Sequence, residues 1–179
     1  ARERKRAGDV VTSIEPSVQL YLENRLAQLS DEWSAGVSGG IIIDPMTGDI
    51  FALAVDPTYD VNDFESQTDT SMFGNPLVEN VYEMGSIIKP ITIAIGLDAD
   101  AITPETTYND TGSIELDGYT IGNYDGRARG VVSMQEVLNQ SLNTGVSFVV
   151  KEVGTEKFAE YLHEFGLGEE TGVDIQNEI

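Results

Sequence analysis

The stretch that decides the reading is Tyr82-Glu83-Met84-Gly85-Ser86-Ile87-Ile88-Lys89-Pro90, which runs on into an apolar segment at 91–97. Proline has no amide proton and is tolerated only in the first turn of a helix. The helix through 91–97 must therefore start near Ser86. That start puts the serine where backbone N–H groups are free and the helix dipole is positive. Lys89 follows three residues later, on the same face. The isoleucines at 87, 88, 91 and 95 point elsewhere and predict a buried helix. A lysine on a buried helix is uncommon unless it is paired or functional.

A serine beside a lysine that has lost its proton is a nucleophile beside a base. An unperturbed lysine is neutral in about one molecule in 2,500 at pH 7, and making it half neutral requires about 4.6 kcal/mol. A helix N-terminus supplies about 0.3–1 kcal/mol, rising to ~2 in buried geometry. Burial supplies shifts of about 3–5 pH units. Desolvation must then be the main agent if Lys89 is a base. Ser-x-x-Lys alone is weak, since a chain of this length holds roughly one by chance. A surface or salt-bridged lysine beside an N-capping serine accounts for the segment equally well. Ser141-Leu142-Asn143 lies in the join between two predicted helices, where Ser and Asn are ordinary caps.

Working outward, the periodicity predicts a helix over 16–30, opened by Pro16, with Val18, Tyr21, Leu22, Leu26 and Leu29 on one face. Residues 10–14 read as a short β-prone stretch. Residues 39–55 read as a hairpin: Ile41-Ile42-Ile43, a turn at 44–48 with Pro45 and Gly48, and a return strand at 49–55. Both strands are apolar on both faces, so the sheet is expected to be covered on both sides, with Trp33 packed near it. Residues 56–83 and 103–130 are irregular, with a short strand pair around 113–121. Ser133-Met134-Gln135-Glu136 fits a capping box for a helix to about 140. Further helices are expected at 144–153 and 155–165, with stops at Gly154 and Gly166. His163 falls on the last of these, at the surface. Residues 171–179 read as strand-like, and a sheet with so few strands would leave open edges. The chain is thus expected to be a fragment, with residues 1–9 a linker.

Composition narrows the function classes. The chain has 179 residues, 40% of them hydrophobic, which is enough for a core. It has no cysteine and one histidine, which removes disulfides, thiolate metal sites and multi-histidine metal sites. No apolar run reaches the roughly 18 residues of a membrane span. The formal net charge is −21, and four of the ten basic residues sit in the first six positions. So acidic a body repels phosphate backbones, so no nucleic-acid partner is expected. The balance also suits a salty milieu.

Several segments in order resemble the transpeptidase domain of penicillin-binding proteins, especially the monofunctional class B type. Thr12-Ser13-Ile14-Glu15-Pro16-Ser17-Val18-Gln19 is similar to the start of that domain. The run from Gly39-Gly40-Ile41-Ile42-Ile43-Asp44-Pro45 to Phe51-Ala52-Leu53-Ala54 is similar to its first hairpin, and Asp56-Pro57-Thr58-Tyr59-Asp60-Val61-Asn62 to the segment that follows. The stretch from Tyr82 to Pro90 resembles the nucleophile motif. Ser141-Leu142-Asn143-Thr144-Gly145 resembles the Ser-x-Asn motif, about fifty residues later as the family has it. Phe165-Gly166-Leu167-Gly168 and Thr171-Gly172-Val173 resemble the region beyond. Each piece is moderately specific, and the ordered set is strongly so.

The resemblance implies an α/β fold of the α+β type, the penicillin-binding-protein and β-lactamase-like transpeptidase fold. In it a sheet is flanked by helices, and residues 10–179 supply only the N-terminal portion. It implies that Ser86 attacks a D-Ala-D-Ala carbonyl of a peptidoglycan stem peptide and that Lys89 takes its proton. Ser141 then relays a proton toward the leaving amine, and Asn143 binds the substrate amide and helps position Lys89. The Ser86 amide is one half of the oxyanion hole. No metal or cofactor is implied. The implied partners are stem peptides, β-lactam antibiotics and other cell-wall synthesis proteins. The implied location is the outer face of the cytoplasmic membrane or the periplasm, with an anchor upstream of Ala1.

The family's third motif, Lys-Thr/Ser-Gly, is not in these 179 residues. It supplies the other oxyanion donor, and removing one such donor costs about 3–4 kcal/mol of transition-state stabilisation. The chain by itself is therefore expected to be inactive or nearly so. Ile87-Ile88 also departs from the small or aromatic residues common in that gap. Two other readings compete: a serine β-lactamase or β-lactam sensor, and a non-catalytic cell-wall scaffold. Asn143 and the class B-like flanks weigh against the first. The intact set Ser86, Lys89, Ser141 and Asn143 weighs against the second.

Overall fold

A computed structural model describes residues 11–60, 62–63, 65, 68, 70–173, 175 and 177–178 of the chain. The segment 1–9, read as a linker, lies outside them. Contacts divide the chain into two units, residues 1–81 with 174–179, and residues 82–173.

In the first unit, Pro16 stands at the first position of helix α1 (Pro16–Trp33), where its missing N–H is no loss. The helix ends at Ser34, whose φ of 52° turns the chain out of the helix. It lies on a hairpin of β1 (Ser38–Ile43) and β2 (Ile50–Asp56), paired antiparallel from Ser38↔Asp56 to Ile42↔Ala52, with a register slip between Ile42 and Ile43. Gly48, at φ 81°, closes the turn, and the Asp44 carboxylate accepts the Met46 amide at 2.8 Å. The Gln19 side chain acts as a short piece of ladder on β2. Its Nε2 donates to Leu53 O at 3.0 Å and its Oε1 accepts Leu53 N at 2.9 Å. Ala52, Ala54 and Leu26 are buried. A short helix, α2 (Pro76–Glu79), follows, capped by the Asn75 side chain.

Three expectations fail here. One hairpin face meets Leu22 of α1 at Gly40, and the other is covered only in part, by Leu77 of α2 at Gly39, leaving Ile41 and Ile43 at 43% and 50% exposure. Trp33 is 72% exposed rather than packed. Residues 11–14 form no strand. They run beside β2 instead, with Ser13 Oγ donating to Ile50 O at 2.8 Å and Glu15 N to Phe51 O at 2.9 Å.

The second unit opens with a 3-10 turn at Gly85–Ile88 that leads directly into α3 (Lys89–Asp98), with Pro90 in its first turn. Four short strands follow: β3 (Thr107–Asp110), β4 (Ser113–Leu116), β5 (Tyr119–Gly122) and β6 (Gly130–Ser133). β4 pairs with β5 as a local hairpin, and β3 pairs antiparallel with β6 across the segment between them. Sequence reading places only the first pair. The second joins four-residue strands twenty or more positions apart, too short for alternation to register. Helices α4 (Met134–Asn139), α5 (Asn143–Val153) and α6 (Thr155–Glu164) complete the unit.

Ile93, Ile102, Met134, Val137, Leu142 and Val149 form the buried cluster, with Tyr108 and Phe148 stacked against it. Full burial of such a side chain contributes about 1.5–3 kcal/mol. The capping box at Ser133 is half made. Ser133 Oγ accepts Glu136 N at 3.4 Å, but the Glu136 carboxylate takes Asn139 and Gln140 instead. The isoleucine-rich helix is buried through Ile93 and Ile95, whereas Ile87 is 66% exposed. His163 is exposed on α6, as read from its place in the sequence. No strand occurs among the described residues of 171–179.

Candidate active site

α3 and α5 pack together, and their N-terminal ends carry the polar groups that the sequence singles out. Lys89 is the first residue of α3, and only 6% of it is exposed. Its Nζ donates to three acceptors: Ser141 O at 2.6 Å, Ser141 Oγ at 2.9 Å and Asn143 Oδ1 at 2.6 Å. Ser141 Oγ in turn donates to Ser86 Oγ at 3.2 Å. The four residues are therefore joined in one hydrogen-bonded chain, with Ser86 at its exposed end. Within that chain the serine hydroxyl reaches the amine through Ser141. Burial pushes the Lys89 pKa below its ordinary value, in the direction a base requires.

The backbone explains how Ser141 and Asn143 come to flank one amine. Leu142 between them is fully buried, and its N–H donates to Val137 O at 2.9 Å. Anchoring the middle residue turns its neighbours outward. Ser141 has a φ of 53°, a left-handed conformation that is uncommon for a residue with a Cβ. That twist lets both its carbonyl and its hydroxyl face Lys89. Asn143 opens α5, and its Nδ2 donates to Gly122 O at 2.7 Å. Gly122 O can only accept, so the amide nitrogen must face it and Oδ1 must face Lys89.

Behind the motif lies a polar network that sequence reading misses. Asp110, at the end of β3, is 1% exposed. Its carboxylate accepts Thr144 Oγ1 at 2.7 Å, Arg129 N at 2.9 Å, Gly112 N at 3.0 Å and Asn123 Nδ2 at 3.0 Å. Burial alone would push its pKa up. The hydrogen bonds from Thr144, Gly112, Arg129 and Asn123 outweigh burial and hold it below the usual value. The legible signal was the Asp110-Thr111-Gly112 turn, where an Asp side chain meets the amide two residues on. The other three donors lie 13 to 34 positions away. On the surface nearby, Arg129 grips Asp125 with two nitrogens at 2.7 and 2.9 Å, and this pairing brings the Asp125 pKa down to about 2.

A cavity of about 480 Å³ lies in the first unit, lined by residues of α1, β2 and the segment leading into α2. It contains none of the four residues. Among the described residues no cluster of His, Asp or Glu could hold a metal ion, and no helix is long and apolar enough to cross a membrane.

Residues 39–179 match the family model described as the penicillin binding protein transpeptidase domain. The chain belongs to this family. Its relatives include a probable peptidoglycan D,D-transpeptidase FtsI of Caulobacter vibrioides, 31% identical over 169 residues, covering 94% of this chain and 28% of that protein. Stage V sporulation protein D of Bacillus subtilis is 28% identical, over 95% of this chain and 26% of its own length. Penicillin binding protein 3 of Mycobacterium tuberculosis, solved in complex with ampicillin, superposes with a TM-score of 0.87 at 28% identity. That match covers 95% of this chain and 38% of the solved one. The α+β transpeptidase fold of the family is therefore the fold of this chain. The chain spans less than a third of the length of these curated relatives.

Proposed function

We propose that the protein carrying this chain is a peptidoglycan D,D-transpeptidase that works through a serine acyl-enzyme. Ser86 is the nucleophile and Lys89 its base. Ser141 relays a proton to the leaving amine. Asn143 binds the substrate amide and orients Lys89. The observation that supports this best is the convergence of the four side chains, with Lys89 Nζ within 2.6–2.9 Å of Ser141 and Asn143, and Ser141 Oγ 3.2 Å from Ser86 Oγ.

In the acylation step, Ser86 Oγ bonds to the carbonyl carbon of the penultimate D-Ala, and its proton passes toward Lys89. The amide C–N bond breaks, and the terminal D-Ala leaves with a proton delivered through Ser141. An amine from a neighbouring strand then attacks the ester. A new amide forms, and Ser86 recovers its proton. The Ser86 amide, at the start of a helix, suits one half of the oxyanion hole. In this reading residues 10–179 are the front portion of the domain and 1–9 a linker. The Lys-Thr/Ser-Gly strand belongs to the longer protein, as does an N-terminal anchor that holds the domain outside the cytoplasmic membrane. β-Lactams acylate the same serine, and other cell-wall synthesis proteins are its partners.

The test is penicillin labelling of the full-length protein followed by intact mass and peptide mapping. The expected result is one long-lived adduct on Ser86 and none on Ser86→Ala. An unlabelled wild type, or equal labelling of the variant, overturns the proposal. An adduct released within seconds would instead assign a β-lactamase.

A further inference from the structure

We propose that Asp110 is the positioning residue of this site, acting through Thr144 and Asn123 to fix Asn143, and through Asn143 to fix Lys89. The inference rests on the transpeptidase reading above.

Asn143 is held by two handles, and both lead to the same carboxylate. The first is its backbone. Thr144, the next residue in α5, is buried, and its hydroxyl donates to Asp110 Oδ1 at 2.7 Å. Its amide donates to Asn123 Oδ1 at 3.4 Å. The second handle is the Asn143 side chain, whose Nδ2 is held by Gly122 O at 2.7 Å. Gly122 is followed by Asn123, whose Nδ2 lies 3.0 Å from both oxygens of Asp110. Asp110 thus ties the first turn of α5 to the end of β5, the two pieces of backbone that aim the Asn143 amide. That amide presents its oxygen to Lys89 Nζ at 2.6 Å.

The arrangement needs an acceptor-only group at position 110. All four partners donate: two backbone amides, one side-chain amide and one hydroxyl. An ionised carboxylate has lone pairs for all of them. An asparagine of the same shape would turn an –NH2 toward donors, and β5 and α5 would have to move apart. Displacements on the scale of 1 Å at a catalytic group cost about a hundredfold in rate. Asp110 touches neither Ser86 nor Lys89 in the hydrogen-bonded chain, so its effect must travel through Asn143.

The experiment measures the second-order rate of Ser86 acylation by a fluorescent penicillin in the full-length protein, with thermal melts in parallel. Asp110→Asn is expected to lower the rate by about 10- to 100-fold. Thr144→Val, which keeps shape and loses the hydroxyl, is expected to lower it in the same direction, and Thr144→Ser to restore most of the loss. If Asp110→Asn does not fold, the Thr144 pair carries the test. The decisive readout is the double variant. In an Asn143→Ala background, Asp110→Asn or Thr144→Val should change the remaining rate by less than about twofold, because their route to Lys89 is already cut. Full additivity, or single variants that acylate at the wild-type rate, would overturn the inference and leave the transpeptidase reading standing. A wild type that penicillin does not label would overturn both.

Discussion

Lys89 and Asp110 are both nearly sealed from solvent within the same unit, yet the chain treats them in opposite ways. At Lys89 the partners are three neutral oxygens, and burial lowers the pKa. At Asp110 four donors converge, and their hydrogen bonds overcome burial to keep the group ionised. The first environment holds an amine that can give up its charge. The second holds a charge that cannot easily be removed. On the transpeptidase reading a reactive group and a fixed one are built from similar burial, and the sign of the pKa shift against the desolvation trend separates them.

The largest effect expected from breaking this contrast is on the reactive side. Lys89→Met should lower penicillin acylation by about 10²- to 10⁴-fold, the usual contribution of a general base. It should change equilibrium stability by no more than about 1–2 kcal/mol, because losing a desolvated amine offsets leaving its three acceptors without a donor. A large loss of stability would show that Lys89 is a structural charge after all. In the wild type the acylation rate should climb with pH and level off below 10.5, the ordinary lysine value, since burial lowers the folded pKa.

Asp110 should behave in reverse. Leaving its buried donors unpaired in Asp110→Asn is expected to cost about 3 kcal/mol in urea denaturation. Its pKa is lowered on folding, so its contribution is complete above the ordinary carboxylate pKa of about 4 and lost as pH falls through the folded value. The gap between wild type and Asp110→Asn should therefore narrow only in that acid range. A gap that closes at neutral pH would contradict an ionised Asp110.

The smallest effect tests the packing that sets the two helices side by side. A Cβ at Gly96 of α3 would meet Val149 Cγ1 of α5 at 2.6 Å and Ile102 Cδ1 at 2.8 Å. Gly96→Ala should cost about 1–3 kcal/mol of stability. It should lower acylation less than Lys89→Met does, since it moves α3 without removing a reacting group.

The contrast also marks how far the sequence can be read. The helix that carries Lys89 was legible. Pro90 dates the helix start to within a turn, and the structure begins α3 at Lys89. α1, α5 and α6 fall within three residues of the expected ends. The fixed side was not legible. Asp110 ends β3, Asn123 follows β5 and Thr144 lies in the first turn of α5, and a polar contact between elements so far apart in the chain leaves no period in the sequence. The β3–β6 pair was hidden because its four-residue strands are too short to show alternation. The hairpin misled in another way: Ile41 and Ile43 are as apolar as core residues, but composition does not say which chain segment covers them.

The left-handed backbone at Ser141 carries a consequence for how this protein drifts under mutation. A side chain in that conformation costs about 1–2 kcal/mol that glycine would not. Glycine at 141 would relax the turn while deleting the hydroxyl that bridges Ser86 and Lys89. Under selection for robustness alone, this position is a downhill slope toward a sturdier, silent protein. On the transpeptidase reading, a lineage that no longer needs the chemistry is expected to lose the serine, which would make position 141 a gauge of that need.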